Sequence, residues 1–165
     1  VAAVTGAAEE VDVAREATTR LLNNAGLQLL HRGVLDRARD HLERALAVAE
    51  VVHGPEHPNV AIPANNLGQI LKARGDLAGA EELTRRALAI GEAAYGAEHP
   101  NVAIRRNNLA GILQDQGHLT AAEEEYRRAV EIAGAILGAE HPDTKLYAGN
   151  LEQLLERLEG RGSGG

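Results

Sequence analysis

Between Asn59 and Pro100 the apolar residues fall into two runs at helical spacing. Ala64, Leu67, Ile70 and Leu71 share one face of a helix, and Gly75-Asp76 interrupts the pattern. Leu77, Ala80, Leu83, Ala87, Leu88 and Ile90 resume it toward Tyr95, where Gly96 supplies a C-terminal cap and Pro100 opens the next run. The segment reads as a helical hairpin. Read the same way, the whole chain predicts helices near 13–31, 36–53, 59–73, 77–95, 101–115, 119–137 and 143–159. Residues 1–12 are less regular, either the remnant of a preceding unit or an extension of the first helix, and residues 160–165 are flexible by composition.

The hairpin recurs. His-Pro stands at 57, 99 and 141, Asn-Asn-Leu at 65 and 107, and Gly-Asn-Leu at 149, each 42 residues from the last. Gly33, Gly75 and Gly117 hold the same register, as do Ala38, Ala80 and Ala122, Ala45, Ala87 and Ala129, and Gly54, Gly96 and Gly138. A fixed period of this size marks an array in which each unit buries its apolar face only by stacking on its neighbours. The organisation expected is an extension or remnant over 1–18, helix pairs at about 19–58, 59–100 and 101–142, a capping helix at 143–158, and a tail at 159–165.

These 165 residues leave no room for a separate catalytic domain. Hydrophobic residues make up 44% but aromatics only 2%, with no Phe or Trp, so the core is built from Ala, Leu, Val and Ile in close-packed helices. The net charge of −7 and the lack of a basic run argue against nucleic acid or an anionic membrane as partner. Cysteine is absent and no apolar stretch is long enough to span a bilayer. The chain begins at Val1 and has no Met, which suggests an excised piece of something longer. Arg outnumbers Lys 15 to 2, a bias that points to a GC-rich bacterial genome, and a cytoplasmic location is expected.

The 42-residue spacing with His-Pro, Asn-Asn-Leu, Gly-x-Leu and Arg-Arg-Ala-Leu resembles the tetratricopeptide repeat family, and most of all its kinesin light chain type. The resemblance covers about residues 19 to 158 and implies an all-α, right-handed superhelical solenoid of antiparallel hairpins with a C-terminal capping helix. Gly68, Ala110, Ala80, Ala122, Ala87 and Ala129 stand where the family packs its two helices closely, and Tyr126 is the survivor of its larger aromatics.

The resemblance also implies that the first helix of each unit lines a concave groove. With Leu67 at the centre of the buried face and about 100° per residue, Ile62, Asn65, Gln69 and Lys72 fall opposite it, and Asn66 flanks the two faces. The equivalent positions hold Arg20, Asn23, Leu27 and Leu30, then Ile104, Asn107, Gly111 and Gln114, then Leu146, Gly149, Gln153 and Glu156. A carboxamide both donates and accepts, so it brackets a peptide backbone without reading side chains. Asn23, Asn65, Asn66, Gln69, Lys72, Asn107, Asn108, Gln114 and Asn150 are therefore the candidate peptide-binding residues. The alternative is that Asn24, Asn66, Asn108 and Asn150 bond to the neighbouring helix and fix the stacking; both uses are compatible. Some family members clamp a C-terminal carboxylate with groove cations, but here Ile62, Ile104, Asn65 and Asn107 replace them.

His53-Gly-Pro-Glu-His57 spells H-x-x-E-H, a metalloprotease pattern, but Gly54-Pro55 breaks the helix that pattern requires. His57, His99 and His141 are expected to shape the loops between units, with no metal and no cofactor. Nothing pairs a nucleophile with a base, and Ser163 is the only serine. The reading is a non-enzymatic module for a protein or peptide ligand. The alternatives are a regulatory array of a larger bacterial signalling protein and a self-associating scaffold.

Overall fold

The structure, a computed structural model, describes the backbone of residues 2–162 and the side chains of residues 10–160. It is all-helical over that range: α1 (Ala2–His31), α2 (Leu35–His53), α3 (Pro58–Ala73), α4 (Leu77–Tyr95), α5 (Pro100–Asp115), α6 (Leu119–Leu137) and α7 (Pro142–Gly162). The bounds match the expected helices to within a residue except at the two ends. There α1 continues back through residues 2–12, and α7 runs on through Gly162. Residues 163–165 of the expected tail lie outside the described range.

By internal contacts the chain falls into two units, Val1–Ile90 and Gly91–Gly165. In the first, α1 packs on α2, α2 on α3, and α3 on α4, where Ala49, Val60, Ala61, Ala64, Ala87 and Ile90 form one buried cluster. In the second, α5 packs on α6 and α6 on α7. Ala80, Ala87, Ala110, Ala122 and Ala129 are all fully buried and Tyr126 is 5% exposed, as the repeat register requires. The contact is near backbone to backbone: a Cβ built on Gly68 would sit 2.5 Å from Thr84 Oγ1 and 3.2 Å from the Ala80 carbonyl. At the equivalent position in α1, a Cβ on Gly26 would lie 2.6 Å from Leu42 Cγ.

Two kinds of turn alternate, and both depend on glycine. Gly33, Gly75 and Gly117 end the first helices, while Gly54, Gly96 and Gly138 end the second; all six have positive φ, where L side chains are strained. At the first kind, Asp76 N–H reaches back to the Leu71 carbonyl at 2.9 Å and Gly75 N–H to the Lys72 carbonyl at 3.0 Å, a Schellman closure. At the second kind the histidines act. The Nδ1 of His57, His99 and His141 accepts from the backbone N–H of Asn59, Asn101 and Asp143 at 3.1, 3.1 and 3.2 Å, capping α3, α5 and α7. His53 and Tyr95 stack on the first two of these imidazoles, with ring centroids 4.6 and 4.7 Å apart. The loop-shaping role expected of these histidines is thus a helix cap.

The outer helices carry i,i+4 pairs between Glu81 and Arg85 and between Glu123 and Arg127, both 2.7 Å. Arg86 and Arg128, each four residues after a glutamate (Glu82 and Glu124), turn elsewhere. Arg86 donates to Glu50 at 2.6 Å and to the Pro55 carbonyl at 2.7 Å, and Arg128 bonds Glu98 and Glu131, so each straps its helix to the loop that precedes its hairpin.

Enlarging Ala122 to Leu should cost about 1–3 kcal/mol through overpacking, read as a lower urea midpoint at unchanged slope; an unchanged midpoint would show that α5 and α6 have room to separate. Replacing His99 by Ala should cost about 0.5–2 kcal/mol through loss of a cap acceptor, and Asn at that position should restore most of it in a thermal melt.

Candidate peptide-binding face

The buried arc of α3 covers more than half of its circumference, because the helix meets α1, α2 and α4 at once. Val60, Ala61, Pro63, Ala64, Asn65, Leu67, Gly68 and Ile70 are all inside it. The strip left to solvent holds Ile62, half exposed, with Asn66 and Gln69 partly exposed beside it. Asn65, placed by periodicity opposite the core, is only 7% exposed. A first helix of this array has no single buried direction, so the turn angle from Leu67 alone misplaces it. Gly111 in α5 is likewise buried. Lys72 and Gln114 are half-buried, and Gln69 Nε2 lies buried without a hydrogen-bond partner.

The asparagines join successive first helices. Asn66 Nδ2 donates to Asn23 Oδ1 at 2.8 Å, linking α3 to α1, and Asn65 donates to Asn66 Oδ1 at 3.4 Å. In the second unit Asn150 Nδ2 donates to Asn107 Oδ1 at 2.9 Å, linking α7 to α5. Both links span 43 residues, one period plus one, so the second Asn of a repeat serves the first Asn of the repeat before. The expectation that Asn107 and Asn65 face away from their neighbours is corrected. Asn107 is half-buried and occupied as an acceptor, and Asn23 is only 9% exposed. Asn108 is half-buried.

Beside the Asn66–Asn23 link, the first unit opens a cavity of about 400 Å³ between α1 and the start of α3, lined by Glu16, Thr19, Arg20, Asn23, Asn24, His53, Asn59, Ile62 and Pro63. Its chemistry is graded. At one side His53 Nε2 lies 3.6 Å from Glu16 and 3.2 Å from Asn59 Nδ2. Toward the other, Arg20 and Asn24 are exposed. Ile62 and Pro63 form the apolar wall. Pro63 sits inside α3 and has no N–H, so it withholds the helical hydrogen bond from the Asn59 carbonyl. Periodicity found Arg20, Asn23 and Ile62 of this cavity. His53, Asn59 and Pro63 were missed, although a proline within a helical run is a readable sign of a freed acceptor.

The position of Pro63 varies from unit to unit. One period on stands Arg105, 4% exposed, its guanidinium donating to the Asn101 carbonyl at 2.6 Å and lying over Gly91. Burial pulls its pKa down, with the nearby Tyr95 acting in the opposite sense. Two periods on stands Tyr147, buried, its phenol pushed up to about 12 by desolvation and then by the charge of Asp143. Among the described residues no group of three His, Cys, Asp or Glu could hold a metal ion, and no helix is long and apolar enough to cross a membrane.

A tetratricopeptide repeat profile matches residues 17–93, 60–133 and 104–161. The chain belongs to the tetratricopeptide repeat family. Among solved structures it is similar to the nearly identical TPR-like repeats of a kinesin light chain assigned in Podosopora anserina, at 24% identity and TM-score 0.76 over 83% of this chain and 66% of that one. It is also similar to BtubC (BKLC) from P. vanneervenii, at 23% identity and TM-score 0.75 over 84% of this chain and 55% of that one. A third neighbour is the first TPR of Spaghetti (RPAP3) bound to the HSP90 peptide SRMEEVD, at 14% identity and TM-score 0.62, covering 87% and 95%. The chain spans under two thirds of the length of the first two neighbours. Comparison with curated protein sequences gives no match.

Asn66→Ala should leave Asn23 Oδ1 buried without its donor and cost about 1–3 kcal/mol. Chemical denaturation checks this; a variant as stable as the parent would detach the asparagines from stacking and return them to ligand binding.

Proposed function

We propose that the chain is a non-enzymatic interaction module that holds an extended peptide segment along its first helices, with the α1–α3 cavity as the seat in the first unit. The observation that carries this reading is the company the cavity keeps: Arg20 and Asn24 stand exposed beside an apolar wall of Ile62 and Pro63. A segment that rests an aliphatic side chain on that wall and presents a carboxylate or carbonyl to Arg20 and Asn24 satisfies both. Ile62 recurs as Ile104 and Leu146, which are 39% and 56% exposed, so α3, α5 and α7 each offer one apolar step. In the first unit Asn66, Gln69 and Lys72 flank such a segment; Asn108, Gln114 and Asn150 belong to the first helices of the second unit. Asn23, Asn65 and Asn107 serve as the frame behind it.

The peptide-bound neighbour supports a peptide as the class of ligand, and the Arg-over-Lys bias favours a GC-rich bacterial source. Binding of a fluorescent panel of aliphatic-acidic peptides, with charge-reversed controls, tests the seat. Ile62→Asp and Arg20→Glu should each weaken binding by about tenfold, or about 1.4 kcal/mol, with the melting midpoint unchanged. Arg85→Ala on the outer face should bind like the parent. Equal affinity for both peptide sets, or full binding by Ile62→Asp, would overturn the reading.

A further inference from the structure

Helix α1 is 30 residues long where α3 and α5 have 16. Residues 16–31 correspond to α3 one period earlier, so residues 2–15 overhang the hairpin as nearly four extra turns. Within and beside this overhang, Val11, Ala14, Thr18 and Leu21 follow a 3-4-3 spacing, the seam of a heptad repeat. All four are exposed, Val11 by 48% and Leu21 by 70%.

The register says what such a seam does elsewhere. Thr18 and Leu21 become Val60 and Pro63 in α3, Val102 and Arg105 in α5, and Thr144 and Tyr147 in α7, every one of them buried. In those units the second helix of the unit before covers the position: Val60 lies in one cluster with Ala49 of α2, and Arg105 lies over Gly91 of α4. In α1 the same surface meets solvent. A helix is the shape that fits it.

The charges beside the seam select which helix. With Val11 and Thr18 at a and Ala14 and Leu21 at d, Glu10 falls at g and Arg15 at the following e; both are exposed. In a parallel pair, g of one helix meets the next e of the other, so Glu10 of each copy would face the other copy's Arg15, twice by symmetry. Among the described residues the Arg15 guanidinium pairs with Asp12 of its own helix at 3.4 Å, in an exposed pair that competes weakly. The sequence extends the same heptad back to Ala7 and Val4. We propose that α1 pairs in parallel with α1 of a second copy along the seam of Val11, Ala14, Thr18 and Leu21, giving a two-fold dimer. Neither the seam residues nor Glu10 and Arg15 line the α1–α3 cavity, so this inference stands or falls apart from peptide binding.

Sedimentation velocity of the whole chain, from low micromolar to near-millimolar concentration, reads the pairing. A reversible dimer is expected, and Leu21→Glu should raise its dissociation constant by about tenfold or more with an unchanged far-ultraviolet dichroism spectrum. Arg15→Glu should weaken the dimer, and adding Glu10→Arg in the same chain should restore it, since the swapped charges again meet across a parallel pair. A monomer at every concentration, a dimer indifferent to Leu21→Glu, or no rescue by the charge swap would overturn the proposal.

Discussion

Everything in this fold depends on how closely two helices can approach. With no Phe or Trp and three Tyr, the chain has few bulky side chains to wedge between its helices, and alanine and glycine at fixed register positions bring the backbones almost into contact. Dispersion gained over that close surface replaces the large single burials of an aromatic core. The cost is low tolerance: at Gly68 even one methyl group would collide with Thr84 and the backbone at Ala80. Close approach also governs the polar groups, because side chains on adjacent first helices lie near enough to bond directly, as Asn66 and Asn23 do at 2.8 Å.

That directness creates a competition on the face where a ligand would lie. A carboxamide spent on the neighbouring helix is only partly open to a peptide. In the first unit the asparagines are bonded among themselves, and the open surface shifts to Ile62, Arg20 and Asn24 around the cavity. Recognition there rests on an aliphatic step and one guanidinium, a combination that reads side chains, whereas an amide row would read mainly backbone. Rigidity and selectivity thus draw on different residues of the same helices.

The turns, the helix bounds and the small-residue contacts were legible because each repeats at 42 residues and each has a local cause: a glycine at positive φ, a proline at a helix start, an alanine on a buried face. The binding face was legible only in part. Ile62 and Arg20 emerge from periodicity, but Asn65 does not, since a helix enclosed by three neighbours hides residues that a two-sided picture assigns to solvent. Arg86 and Arg128 show the same limit: each has an acidic residue four positions earlier and still takes a partner from a distant loop, which no local spacing reveals.

The reach of each bond also decides how the chain can be cut and rejoined. The His57, His99 and His141 caps span two residues, so each travels intact with the helix it starts. The arginine strap at Arg86 and the Asn66 and Asn150 links reach 36 and 43 residues back and are shared by two successive repeats. A cassette moved between arrays of this kind would carry its own helix starts but inherit its seams from the host. Gly149, which places no side chain where Asn23, Asn65 and Asn107 stand, would be a poor host for any further unit whose second asparagine needs an acceptor.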